Sequence, residues 1–348
     1  MTDLPVLFPF ADYWWFYLSF TAFVIGLLSL DLGVFHRKAH AVSFKEATAW
    51  TCVWVTLALI FNLLLYLYSW WQFSDNSVLM AIPGFDPKAE ASRIALEFLA
   101  GYLVEQSLSI DNIFVFVLVF SYFHVKPQYQ HRVLFYGILG ALVFRGIFIA
   151  IGAALMQYKL VVILLGGFLV FTGFKMMFGG EQKIEPEKKP ITRLFKKIMP
   201  VSHEFEGQKF FSRKGGVLHA TPLFIVLLVL EATDVVFAID SVPAIFGLTK
   251  EPLIVFTSNI FAILGLRSLY FLLAGAVDKF HFLKYGLAIV LTFVGLKMTV
   301  LSWLLHGHFP ILWSLSIIAG TIGGSIVLSL VFPKKEEPNH LPGPGQDH

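Results

Sequence analysis

Five carboxylates fall inside apolar runs long enough to cross a bilayer. Glu105 and Asp111 lie in EQSLSIDN at 105–112, and Glu231, Asp234 and Asp240 lie in EATDVVFAIDSVP at 231–243. A charged side chain at the bilayer centre costs at least about 2.5–3.5 kcal/mol on insertion scales. Two arginines, Arg145 in LVFRGIF and Arg267 in LGLRSLY, are embedded in the same way. Pairing would reduce the cost of both signs, but two guanidinium groups neutralise only two acids. The surplus calls for protons, a cation or both. All the candidate ligand atoms are oxygens: the five acids, the Asn112 amide and the Ser241 hydroxyl. An oxygen-only site suits Mg²⁺, Ca²⁺ or Mn²⁺ rather than Zn²⁺ or Cu⁺. With two arginines and one dication present, one negative charge remains, which a proton would balance. That arithmetic favours cation–proton exchange, and acids so close would titrate as a set.

On a regular helix, Glu231 and Asp234 share a face. Glu105 and Asp111, like Asp234 and Asp240, are six apart and point about 240° apart at 100° per residue. Pro243 favours a helix break nearby. Ser107, Ser109 and Asn112 in one segment, and Thr233 and Ser241 in the other, could satisfy freed backbone groups. Both helices are therefore expected to be broken at the site. Glu105, Asp111, Asp234 and Asp240 are then the expected primary ligands, with Asn112, Ser241 and exposed carbonyls completing the shell. Glu231 is a ligand or the proton carrier. Arg145 and Arg267 position acids or act as resting counter-ions. Asp31 is a sixth candidate acid, equally suited to a solvated or capping role, and Lys175 and Lys297 are expected to snorkel towards opposite ends of their spans.

These residues need a membrane scaffold, and the composition supplies one. The 348 residues are 57% hydrophobic and only 14% charged, against about 25% charge in soluble domains, and mean hydropathy is +0.74. The expected fold is all-α, a polytopic transmembrane helix bundle of nine spans: 13–35, 47–70, 94–123, 131–156, 159–178, 217–246, 253–275, 281–304 and 311–332. Residues 1–332 are expected to form a single transporter domain, with a charged loop at 179–216 in which ITRLFKKIM has the pattern of a short amphipathic helix; residues 333–348 are expected to form a Pro/Gly-rich disordered tail. The N-terminus lacks a basic signal-peptide region, so the first run is expected to be a retained span. Seventeen lysines and arginines fall in alternate loops and four in the others. The positive-inside rule puts the N-terminus in the periplasm, and the 179–216 loop and C-terminus in the cytoplasm. The near-balanced net charge of +3 and the absence of a nucleic-acid motif exclude nucleic-acid partners. The single Cys52 excludes disulfides within the chain.

Spans three to five (94–178) resemble spans six to eight (217–304). GFKMMF at 173–178 matches GLKMTV at 295–300, and the same offset places Arg145 on Arg267 and Lys175 on Lys297. With a short gap, Glu105 matches Asp234, Asp111 matches Asp240 and Asn112 matches Ser241. An odd number of spans per copy makes this an inverted 3+3 repeat, whose site is expected at the midplane where the copies meet.

At these motifs the chain resembles the TerC family, in its Alx-type branch. EQSLSIDNIFVF, FFSRKGGVLHATPL, EATDVVFAIDSVPAIF and SNIFAILGLRSLYFLL carry the likeness, which runs from about residue 29 to 298. The resemblance implies a bacterial inner-membrane exporter of divalent cations, Mn²⁺ foremost as transported substrate, with protons, lipid and the cation as partners. It carries over Glu105, Asp111, Asn112, Glu231, Asp234, Asp240 and Ser241. The alternative is a membrane scaffold of a tellurite or metal stress-response complex without transport of its own. An enzyme is not expected: HExxH and GxSxG are absent, and Ser241 has no histidine near it in sequence.

Overall fold

Prolines and capping side chains start most of the long helices. Pro87, Pro127, Pro222 and Pro252 each occupy a first helical position, where a missing N–H costs nothing. Asp86 caps Lys88 and Ala89, and Ser43 caps Glu46 in the capping box SFKE. The computed structural model describes residues 6–30, 42–179, 199–202, 205–214, 216–274, 280–301, 304 and 310–332. Its helices are α1 (Phe10–Leu30), α2 (Phe44–Asp75), a short α3 (Ser77–Met80), α4 (Pro87–Tyr122), α5 (Pro127–Leu155) and α6 (Lys159–Phe178). There follow α7 (Pro222–Phe246), α8 (Pro252–Leu273), α9 (Leu283–Leu296), which runs on as a π-helical turn (Lys297–Leu301), and α10 (Ile311–Val331). Among the described residues, nine of these segments are long and apolar enough to cross a membrane, as the sequence predicts. Asp31, most of ITRLFKKIM and the 333–348 tail lie outside the described residues.

The expected sixth span starts too early at 217. Val217–Ala220 is a strand that pairs antiparallel with Phe211–Lys214. Gly216, at φ +82°, turns the chain between them, and Pro222 then starts the helix. The expected helix breaks are also corrected. α4 is continuous through 105–112, and α7 is continuous through 231–243. Pro243 sits in the last turn of α7, so its missing N–H ends the helix nearby rather than opening it at the acids. Ser107 donates to the Leu103 carbonyl at 2.7 Å and Thr233 to the Val229 carbonyl at 2.6 Å. Both hydroxyls thus bond back within an intact helix.

α8 is buried along nearly its whole length and forms the axis of the bundle, with α2, α4 and α5 against it. α4 packs on α7 and α8, α5 packs on α7 and α8, and α6 packs on α9. Phe20, Phe61, Phe98 and Phe261 fill the space between α1, α2, α4 and α8. α6 and α9 meet at glycines: a Cβ on Gly166 would lie 2.6 Å from Thr299 Cγ2 and 3.0 Å from the Gly295 carbonyl, and one on Gly295 would lie 2.8 Å from Val170 Cγ2. Gly166→Val is therefore expected to overpack this contact and destabilise the protein by about 1–3 kcal/mol. A lower apparent melting temperature in detergent is the readout, and an unchanged one would contradict the close approach.

Candidate functional site

Four helices each contribute one polar residue to the centre of the bundle. Glu105 of α4, Arg145 of α5 and Asn259 of α8 are fully buried, and Asp234 of α7 is 4% exposed. Arg145 is the hub. Its Nη1 donates to Glu105 Oε1 and, at 2.9 Å, to Asn259 Oδ1. Its Nη2 donates to Asp234 Oδ1 at 3.1 Å, and its Nε lies 3.4 Å from Asp234 Oδ2. Asn259 Nδ2 donates to the other Glu105 oxygen at 3.2 Å. One guanidinium thus holds two carboxylates from different helices, and with both ionised the group carries one net negative charge. Arg145 forms ion pairs with both acids. Asn259 was not anticipated: an uncharged amide in SNIFAILG gives a weaker signal than an acid.

A small pocket adjoins this group. It is lined by Glu231 and Asp234 of α7, Arg267 of α8, Gly137 and Ala141 of α5, and apolar side chains including Phe116 and Leu266. Glu231 and Asp234 share the face predicted for them. Glu231 Oε2 is buried and has no hydrogen-bond partner among the described residues. A Cβ on Gly140 would collide with this carboxylate, so α5 leaves room for it only by having no side chain there.

The other expected ligands are not gathered in the same place. Asp240 is half-buried and turned towards α6, where Thr172 hydrogen-bonds it and Lys175 is its cationic neighbour. The regular helix enforces this separation, because Asp234 and Asp240 differ by six residues. Ser109 and Asn112 follow Glu105 at i+4 and i+7, and Ser241 follows Asp234 at i+7, so each set lies along one helix stripe. All three are buried, and Ser109 Oγ, Asn112 Nδ2 and Ser241 Oγ have no hydrogen-bond partner among the described residues. Asp111 belongs to α4, but its side chain lies outside the described set. Among the described residues no three acids or histidines stand close enough to share a metal ion.

A second polar network joins the Pro87 end of α4 to the loop before α8. Arg93 bonds Glu90 at 2.7 Å and Glu97 at 2.5 Å, and Thr249 donates to Glu97. The buried Glu251 carboxylate accepts the backbone N–H groups of Leu7 and Phe8 at 2.8 and 3.1 Å. Burial pushes the Glu251 carboxyl above its ordinary range, and these two N–H groups oppose the shift. Lys297 does not snorkel: it is 9% exposed, and its charge interacts with Glu97.

The model of the family described as "Integral membrane protein TerC family" matches residues 90–337. The chain is 48% identical over 314 residues to "Uncharacterized membrane protein STKORF319" of Myxococcus xanthus, covering 90% of this chain and 91% of that one. It is 43% identical over 313 residues to "Putative membrane-bound redox modulator Alx" of Escherichia coli (strain K12), covering 89% and 92%. Identity to "Thylakoid membrane protein TERC, chloroplastic" of Arabidopsis thaliana is 44% over 237 residues, covering 68% and 61%. No solved structure matches the chain.

Proposed function

The chain belongs to the TerC family of integral membrane proteins, and we propose that it exports a divalent metal cation, Mn²⁺ foremost, across the bacterial inner membrane in exchange for protons. One observation carries this reading. Two carboxylates from the corresponding helices of the two halves, Glu105 and Asp234, meet at the buried centre of the bundle beside a pocket that ends on Asp234. A fixed structural ion pair would need one acid per arginine. Here Arg145 holds two acids, and Glu231 supplies a third whose Oε2 has no hydrogen-bond partner among the described residues, so that acids outnumber arginines by one even with Arg267 in the same pocket. The helix packing supports an inverted repeat as the frame. α4 against α8 and α5 against α7 are equivalent contacts under a two-fold exchange of the halves, and α6 against α9 maps onto itself. The choice of Mn²⁺ rests on family resemblance, and the preference for a hard dication rests on the oxygen-only donor set.

In this reading the carboxylates supply charge, and the pocket brings Glu231 and Asp234 to one shared space. Asn112, Ser109 and Ser241 offer further oxygens along the α4 and α7 stripes. The redox wording in the name of the Escherichia coli relative finds no thiol pair here, since Cys52 is the only cysteine. Purified protein in liposomes should move Mn²⁺ and H⁺ in opposite directions. Asp111→Asn and Asp240→Asn test how far the functional set extends along the two helices: Asp240, turned to Thr172 and Lys175 of α6, should tolerate the change, and a tenfold loss of Mn²⁺ flux in either variant would add that acid to the set. Wild-type liposomes no more permeable to Mn²⁺ than protein-free ones would reject export and favour a scaffold. Mn²⁺ flux without proton movement would reject antiport alone.

A further inference from the structure

We propose that Arg145 is a resident counter-ion that the cargo displaces, and that Glu231 is the carboxylate that receives it. The inference rests on the divalent-cation reading and adds a valence filter to it. Among the described residues the Arg145 guanidinium donates to Glu105, Asp234 and Asn259. A dication entering between Glu105 and Asp234 with that guanidinium in place would set three positive charges against two negative ones in a buried site. With the guanidinium gone the two carboxylates balance the dication, but the arginine then needs another anion, because an isolated buried charge is far costlier than a paired one.

Glu231 meets that need. It lies three residues before Asp234 on the same face of α7 and lines the same pocket, and one of its oxygens is buried without a partner among the described residues. The way to it along α5 passes over small residues. Side chains on a helix lean towards its N-terminus, so Arg145 leans over Ala141 and Gly137, which stand four and eight residues earlier and both line the pocket. Gly140 adds the notch that the Glu231 carboxylate occupies. A three-carbon stem can therefore carry its charge from the Glu105 side of Asp234 to the Glu231 side over Ala141 and Gly137, with Ile138 and Leu134 of α5 flanking the same pocket. Arg267 also lines the pocket.

The exchange discriminates by charge. A monovalent ion replacing a guanidinium gains no charge and forfeits the arginine's directed hydrogen bonds. A divalent ion gains one unit of charge against two carboxylates, and the displaced arginine regains a partner. Arg145 and Glu231 thus act as positioning and specificity residues, not as ligands.

The test is a double-mutant cycle on the full chain in lipid nanodiscs, with Mn²⁺ alone as probe and free Mn²⁺ read by electron paramagnetic resonance. Glu231→Gln should weaken Mn²⁺ binding at least tenfold in the wild-type background. Arg145→Gln should tighten it, and Glu231→Gln added to Arg145→Gln should change affinity less than twofold. Equal losses from Glu231→Gln in both backgrounds would make Glu231 a direct ligand and overturn the exchange while leaving the cation reading intact. An unchanged affinity for Glu231→Gln in the wild-type background would overturn it as well. Absence of Mn²⁺ binding to the wild type would overturn the cation reading itself, and the exchange with it. Should Arg145→Gln not fold, Gly137→Leu fills the lane with every charge retained. It should weaken Mn²⁺ as Glu231→Gln does, with no further loss when the two are combined, and wild-type affinity for Gly137→Leu would overturn the proposal.

Discussion

Arg145→Met is expected to be the most destabilising single substitution in the molecule. Methionine matches much of the arginine's volume, so packing is nearly conserved and the loss is electrostatic. It leaves Glu105 and Asp234 facing each other in the bundle centre, with the Asn259 amide the one remaining donor to Glu105 among the described residues. Removing one partner of a buried ion pair costs about 3–5 kcal/mol, and here two acids lose the same partner. The protein has two ways to respond: take up a proton on one carboxylate, or loosen the contacts among α4, α5, α7 and α8 until water enters. Either response shows as a fall in the midpoint of denaturant-induced unfolding in detergent. The second half of the expectation identifies the cause. Adding Glu105→Gln and Asp234→Asn to Arg145→Met should restore most of the lost stability, since the remaining groups are neutral and can hydrogen-bond one another. A triple variant as unstable as Arg145→Met would mean that the arginine's stem, and not its charge, holds the helices together.

Much of this centre is legible in the sequence because charge is rare in apolar runs. Glu105, Asp234 and Arg145 stand out singly, and the repeat suggests which of them share a depth. The nine spans follow from hydropathy, and the structure shifts their ends by a few residues where a proline or a glycine turn intervenes. What sequence spacing does not reveal is direction around the helix once a break is assumed. Pro243 suggests a break that would swing Asp240 in beside Asp234. The intact helix instead turns Asp240 to Thr172 and Lys175 of α6. Asn259 is hidden by its neutrality. The Glu251 contact with Leu7 and Phe8 joins positions 244 and 243 residues apart, so no local pattern reports it. Lys297 reads as a snorkelling residue near a span end until the fold brings Glu97 to it.

Glu105→Gln should separate stability from transport in opposite directions. The substitution is nearly isosteric and keeps an oxygen to accept from Arg145. It also removes the excess negative charge of the Glu105–Arg145–Asp234 group, leaving one arginine with one aspartate. Replacing a buried charge by a neutral group that still hydrogen-bonds is neutral or stabilising in many proteins, so the unfolding midpoint should match or exceed that of the wild type. Transport should nevertheless fall by about two orders of magnitude or more. The site would then offer a dication one carboxylate, and Arg145, satisfied by Asp234 alone, would lose the electrostatic reason to leave. The stabilised variant would be a carrier held in its cargo-free state, the usual tension between a relaxed fold and a site poised to act. Mn²⁺ uptake into loaded liposomes and thermal unfolding, measured on the same preparation, decide the matter. Loss of both together would reduce Glu105 to a structural role, and full transport by a stable Glu105→Gln protein would remove it from the cation path.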